Sequence, residues 1–177
     1  MPLILSVRGF TPKIGEDCFI APNATLIGDI SIGNKSSIWF QTVIRGDVNE
    51  IRIGNEVNIQ DGAIIHGTFE KSGTFIGNQV SIGHNAVVHG CYLHDRVLIG
   101  MNAVILDKAE IKSHVLVAAG SVVLENSVLE SGFIYAGAPA RKVKALTEEQ
   151  IQFFIERTAK NYQLYASWYA KDQSLEE

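Results

Sequence analysis

Five histidines occur in the 177 residues, and three of them, His66, His84 and His89, fall in two neighbouring segments, NIQDGAIIHG (Asn58 to Gly67) and IGHNAVVHGC (Ile82 to Cys91). Imidazole changes charge near neutral pH and binds divalent metals through either ring nitrogen. A lone histidine is a solvated side chain or a general base. Three that converge and leave a fourth position open are the donor set of a catalytic zinc site. The same stretch carries Gln60 and Asp61, and VIRGD upstream (Val43 to Asp47) carries Arg45 and Asp47. These groups can pair as ions or orient a bound oxygen. The elements that hold these side chains decide whether they meet.

The branched residues identify those elements. There are 21 Ile and 15 Val against 12 Leu, and 34 of those 36 Ile and Val precede residue 145. Such side chains suit a pleated surface and lose rotamer freedom in a helix. Apolar residues do not simply alternate, however, and glycine recurs every few residues, which is the mark of a short repeat. Steps of six from Ile14 land on Ile20, Leu26, Ile32, Ile38 and Ile44. After a three-residue insertion come Ile53, Ile59 and Ile65, and after a five-residue insertion Ile76, Ile82 and Val88. One residue is then dropped, and the series continues through Leu93, Ile99, Ile105, Ile111, Val117 and Val123. Four residues after each aliphatic the chain is usually small or β-branched, as at Ala24, Ser36, Ala63 and Ala86. Each hexapeptide reads as a short strand and a turn. Three close one triangular coil of 18 residues, and coils stack about 4.8 Å apart around columns of inward aliphatics. Six coils are expected between Ile14 and about Leu129.

The spacing [aliphatic]-Gly-x-x-small-x resembles that of the hexapeptide-repeat proteins, and YAGAPARKV (Tyr135 to Val143) is similar to the segment by which their chains leave the coil. The resemblance implies a left-handed parallel β-helix and a homotrimer. The expected fold is thus an all-β solenoid over residues 1–145 with a C-terminal α-helix in 146–177. Thr147-Glu148-Glu149-Gln150 is a capping box. Ile151, Phe154, Ile155, Tyr162, Tyr165 and Tyr169 then form a helical stripe, predicting a helix over about 148–170 against the outside of the coil. Lys160 and Lys171 are expected toward its negative end.

The repeat places the histidines. With faces A, B and C taken in order from Ile14, the outward position after the face-C aliphatic reads Ile27, Arg45, His66, His89 and Leu106. His66 and His89 therefore stack on adjacent coils about 5 Å apart. Two residues after the face-B aliphatic the column is Pro22, Phe40, Asp61, His84 and Met101, so His84 sits near another corner. In a threefold trimer of triangular prisms, His84 of a neighbour can complete a three-histidine site. His94 and His114 lack this registration and read as surface or packing residues.

The composition narrows the setting. Fifteen Lys and Arg against 19 Asp and Glu give a charge of −4, and without a basic cluster this argues against nucleic acid or an anionic membrane as partner. Two cysteines are too few for a disulfide scaffold. No apolar run approaches the roughly 18 residues of a membrane span, and MPLILSVRGFTP lacks the basic start of a signal peptide. A cytoplasmic protein is expected.

NIQDGAIIHG, IGHNAVVHGC and VIRGD, in that register, resemble the gamma-class carbonic anhydrases and their bacterial relatives. The resemblance implies that His66, His84 and His89 bind Zn2+ or Fe2+ at each interface of the trimer, and that Arg45, Asp47, Gln60 and Asp61 match the family's Arg, Asp, Gln and Asp. It implies hydration of CO2 to bicarbonate by a metal-bound hydroxide, which Gln60 can orient. Arg45, Asp47 and Asp61 either join subunits as an ion-pair network or position Gln60 and bicarbonate. Asn161 and Tyr162 can reach the mouth of the site from the helix. Two features depart from the prototype enzymes. Val48 stands where they carry Glu after Arg-x-Asp, and the short GTFEKSGTF (Gly67 to Phe75), with Glu70 alone, replaces a long acidic loop. Fast hydration needs a route for the departing proton, so these changes imply slow turnover. Three other readings use the same scaffold: a thioesterase or other hydrolase at the same metal, a hexapeptide acyltransferase with one His as base, and a non-catalytic metal-binding trimer.

Overall fold

Every step of the count by six is a rung of a parallel ladder. The computed structural model describes residues 1–173. On face A, Ile14, Ile32, Ile53, Ile76, Leu93 and Ile111 pair in register, and Leu129 continues the column. Face B stacks Ile20, Ile38, Ile59, Ile82, Ile99, Val117 and Tyr135. Face C stacks Leu26, Ile44, Ile65, Val88, Ile105 and Val123. From Leu26 onward these side chains are buried and form one continuous core. Ile14 is exposed and Ile20 half-buried, because no coil lies beneath them on those faces.

The solenoid has about seven turns rather than six. Below, Leu3–Leu5 pairs with Thr25, Leu26 and Ile27 under face C. Above, Phe133–Ala136 extends face B, and Arg141–Ala145 folds back antiparallel along it, covering an edge that would otherwise present unpaired backbone groups. The small residue four after each aliphatic is buried in the prism, as Ala63 and Ala86 show. The residue before it makes the corner with positive φ. Lys35, Gln41, Glu56 and Arg96 all adopt this left-handed conformation, which the sequence pattern alone does not announce.

All three breaks in the six-residue count lie on one edge, where face C turns into face A. Two strands, Thr25–Ile32 and Val43–Ile53, run through this edge without interruption. There Gly28 lies opposite Gly46, and a Cβ on Gly28 would stand 2.4 Å from the Gly46 carbonyl oxygen. The five-residue insertion forms a loop closed by a bridge between Thr68 and Ser72. The edge thus holds the departures from regularity in the coil, and it carries Asp47 and the corner beyond His66 and His89.

The helix starts where its capping box predicts. The Thr147 hydroxyl accepts from the Gln150 N–H, and the Gln150 side chain accepts from the Thr147 N–H, both at 3.2 Å. It continues to Gln173, but Ile151–Glu156 is wound as a π-helix, so the regular stripe is interrupted and only Ile155 of that segment is buried. Beyond it Tyr162 and Tyr169 pack on Trp39 of face B, with centroids 5.2 and 5.7 Å away, and Tyr169 also meets Phe19 and Phe40. With the end at Gln173, Lys160 lies mid-helix, outside the last turn where the dipole acts. The side chain of Lys171 lies outside the described residues. Among those residues no helix is long and apolar enough to cross a membrane.

Candidate metal centre

His66 and His89 are ladder partners on adjacent coils. Their rings are tilted with centroids 5.2 Å apart, and Nδ1 of His66 lies 3.2 Å from Nε2 of His89. The other nitrogen of each ring meets a carboxylate. His66 Nε2 is 3.1 Å from Asp47 Oδ1, and His89 Nδ1 is 3.0 Å from Asp107 Oδ2. An ionised carboxylate only accepts, so each outer nitrogen carries the hydrogen. With both rings neutral, the inner nitrogens would turn lone pairs toward one another across 3.2 Å. That contact is repulsive unless a cation lies beside it; the Arg45 guanidinium, 3.5 Å from His66 Nδ1, is one such cation, and a metal ion would be another. A tetrahedral ion bonded at about 2.0–2.1 Å sets its ligand nitrogens about 3.3 Å apart, close to the spacing found.

The surrounding charges keep this arrangement. Asp47 is bonded by Arg45 Nη1 at 2.6 Å. Burial raises the Asp47 carboxyl, but the bonds from Arg45 and His66 outweigh it and leave it below the ordinary carboxylate range. Burial lowers the pKa of His66, and Asp47 only partly opposes this, so the ring is neutral at pH 7. Arg45 Nη2 stands 3.5 Å from His66 Nδ1. For Asp107 burial is again the largest influence and unfavourable, yet hydrogen bonds from Ser72, Thr68 and His89 hold it down to about 2.

Asp107 is absent from the residues picked out in the sequence. Its position does carry a signal. Two residues past the face-C aliphatic the column reads Gly28, Gly46, Gly67, Gly90 and Asp107, a run of glycines ended by an acid. Gly90, at φ 59°, leaves the space that Asp107 occupies: a Cβ there would lie 2.4 Å from Asp107 Oδ1 and from Ser72 Oγ.

His84 stands apart on face B, as its column requires. Its Nδ1 is 2.8 Å from Asp61 Oδ2, and its Nε2 is 3.4 Å from the Tyr162 hydroxyl. Both His84 and Asp61 are about two-fifths exposed, so this pair is open to a neighbouring molecule. Burial, with Asp61 and Tyr165 adding to it, pushes Tyr162 up to about 12 and keeps its hydroxyl neutral. Gln60 is buried beside this pair, and its amide donates to Asn58 Oδ1 at 3.0 Å. Asn161 has no side-chain hydrogen-bond partner among the described residues. Within one protomer, among the described residues, no three His, Cys, Asp or Glu side chains are grouped to hold a metal. His94 is bonded to Glu110 at 2.8 Å, and His114 forms a corner with positive φ.

Three comparisons bear on this arrangement. The family model described as bacterial transferase hexapeptide (six repeats) matches residues 11–46, 73–107 and 90–125. Gamma carbonic anhydrase 2, mitochondrial, of Arabidopsis thaliana is 42% identical over 97% of this chain, which spans 63% of that relative's length. Carbonic anhydrase of Geobacillus kaustophilus is 39% identical over 90% of this chain and 87% of its own. The chain belongs to the gamma carbonic anhydrase-like family of hexapeptide-repeat proteins. Its solenoid is accordingly the left-handed parallel β-helix. A crystal structure from Bacillus cereus, titled as a putative acetyltransferase, superposes on this gamma carbonic anhydrase-like chain with a TM-score of 0.90 at 36% identity, covering 95% of this chain and 96% of that one.

Proposed function

We propose that this protein is a homotrimeric metalloenzyme hydrating CO2 to bicarbonate, with His66 and His89 of one subunit and His84 of the next as ligands to zinc or ferrous iron. The observation that carries this reading is that each of the three imidazoles has one nitrogen tied to a carboxylate: Asp47, Asp107 and Asp61. Carboxylate-backed histidines are the usual form of metal-ligating histidines, because the second bond fixes the ring and its tautomer. A bound ion of this kind supplies, at neutral pH, a nucleophilic oxygen for attack on the carbon of CO2.

The chain's own groups do the rest. Asp47 and Asp107 hold the outer protons of His66 and His89, so both inner nitrogens present lone pairs. Arg45 keeps Asp47 ionised and aimed. Asp61 steadies His84, whose Nε2 lies 3.4 Å from the Tyr162 hydroxyl. Gln60, anchored through Asn58, is the residue set to orient a bound oxygen and bicarbonate. Val48 carries no proton, and Glu70 is the single acid between Gly67 and Phe75. Buffer must then accept the proton, and turnover is slow and buffer-dependent.

Several known proteins of this fold are titled as acyltransferases, as with the Bacillus cereus structure. Three carboxylate-backed rings exceed what a single general base requires, so the metal reading is preferred. Two free thiols fit a reducing compartment, the cytoplasm. The test is stopped-flow CO2 hydration on metal-replete protein, with thioester hydrolysis measured in parallel. A rate that rises with buffer concentration and vanishes in His84→Ala supports the proposal. Thioester cleavage without CO2 hydration refutes it.

A further inference from the structure

Asp107 is bound on both of its oxygens. Oδ2 faces His89 Nδ1 at 3.0 Å, while Oδ1 accepts from the Thr68 hydroxyl at 2.6 Å and from the Ser72 hydroxyl. Its side chain is about nine-tenths buried. Thr68 and Ser72 are the two residues that close the five-residue insertion. The loop therefore grips one oxygen of the carboxylate and leaves the other to the imidazole. The backbone supports the same arrangement: Gly90, next to His89, has no side chain, and the Asp107 carboxylate lies in the space so left.

We infer that Asp107 is a positioning residue that sets the tautomer of His89, holding hydrogen on Nδ1 so that Nε2 is the nitrogen offered toward His66. This deepens the proposed metal site and rests on His89 being one of its ligands. With both hydroxyls donating to Oδ1, the carboxylate has no freedom to turn, and Oδ2 has only the imidazole N–H to accept. Replacement by asparagine reverses this logic. The two hydroxyls keep the amide oxygen, and the NH2 group then points at His89. An NH2 donor requires a lone pair on Nδ1, which moves the ring hydrogen to Nε2 and removes the lone pair a metal would use. The change preserves shape and volume, so packing alone predicts little effect.

The test uses the full-length protein labelled with 15N-histidine, stripped with chelator, at pH 8. In the unsubstituted protein, long-range 1H–15N correlation is expected to report the Nδ1–H tautomer for His89, and in Asp107→Asn the Nε2–H tautomer. Zinc affinity, measured by competition with a chelator, is expected to fall in Asp107→Asn by about 10- to 100-fold. An Nε2–H tautomer in the unsubstituted protein overturns the inference without any variant, should Asp107→Asn fail to fold. An unchanged tautomer in Asp107→Asn also overturns it. If the unsubstituted protein shows Nδ1–H and Asp107→Asn shows Nε2–H, yet zinc does not bind either protein, the positioning stands and the metal site itself is refuted.

Discussion

Gly46 lies between Arg45 and Asp47 on the edge where face C becomes face A, and replacing it with alanine ties the close approach of two backbones to the site. A Cβ at this position would stand 2.6 Å from the Asp29 carbonyl oxygen and 2.9 Å from the Asp29 carbonyl carbon, against 3.4–4 Å for an ordinary contact. Both obstacles are backbone, so neither swings aside. Relief needs a shift of about 0.8 Å between strands held by ladder bonds on either side. Overpacking of this kind costs about 1–3 kcal/mol. The displaced segment includes Asp47, whose bond to His66 is 3.1 Å and would lengthen beyond useful range by the same shift. Gly46→Ala is therefore expected to lower the urea midpoint and, separately, to weaken zinc binding in a chelator competition. Wild-type affinity together with a lowered midpoint would show that the glycine pair does not position Asp47. An unchanged midpoint would refute the packing argument at its root.

Other expectations follow from the core and the ionised groups. Ile65 is fully buried between Ile44 and Val88, and the ladders above and below prevent collapse, so Ile65→Ala should cost about 3–5 kcal/mol in equilibrium unfolding. In chelator-treated protein, Asp107 titrates at about 2 instead of the ordinary 3.8, which stabilises the fold by on the order of 2 kcal/mol above pH 4. Because the folded value is depressed, that stabilisation is lost as pH falls from about 4 to 2. The stability gap between wild type and Asp107→Asn should close over that window, and a gap independent of pH would contradict it.

The core of this protein was legible because each inward side chain is separated from the next by six residues, and a solenoid turns that spacing directly into vertical columns. Ile27, Arg45, His66 and His89 could be stacked from arithmetic alone, and the ladder has Ile27 opposite Arg45 and His66 opposite His89. What escaped depends on side-chain reach rather than register. Asp107 bends back over Gly90 to its partners, and Thr68 and Ser72 arrive through an insertion that obeys no period. Leu3–Leu5 adds a strand below the first counted coil, yet it is too short to show a repeat. The π-helical segment Ile151–Glu156 has the same residues a regular helix would accept, so nothing in its composition marks it. The proposed trimer would set His84 against a second copy of the chain, which one chain's contacts do not include.

The most direct test of a shared centre is metal content in mixed trimers. His84→Ala and His66→Ala each disable one side of every interface, so either variant alone should bind no metal. When equal amounts are refolded together, an interface is whole only if its His66 and His89 come from the first variant and its His84 from the second. Random assembly then predicts that about one quarter of the wild-type zinc content returns. Mixed trimers that remain empty, or a single variant that retains full zinc, would contradict a site built from two subunits.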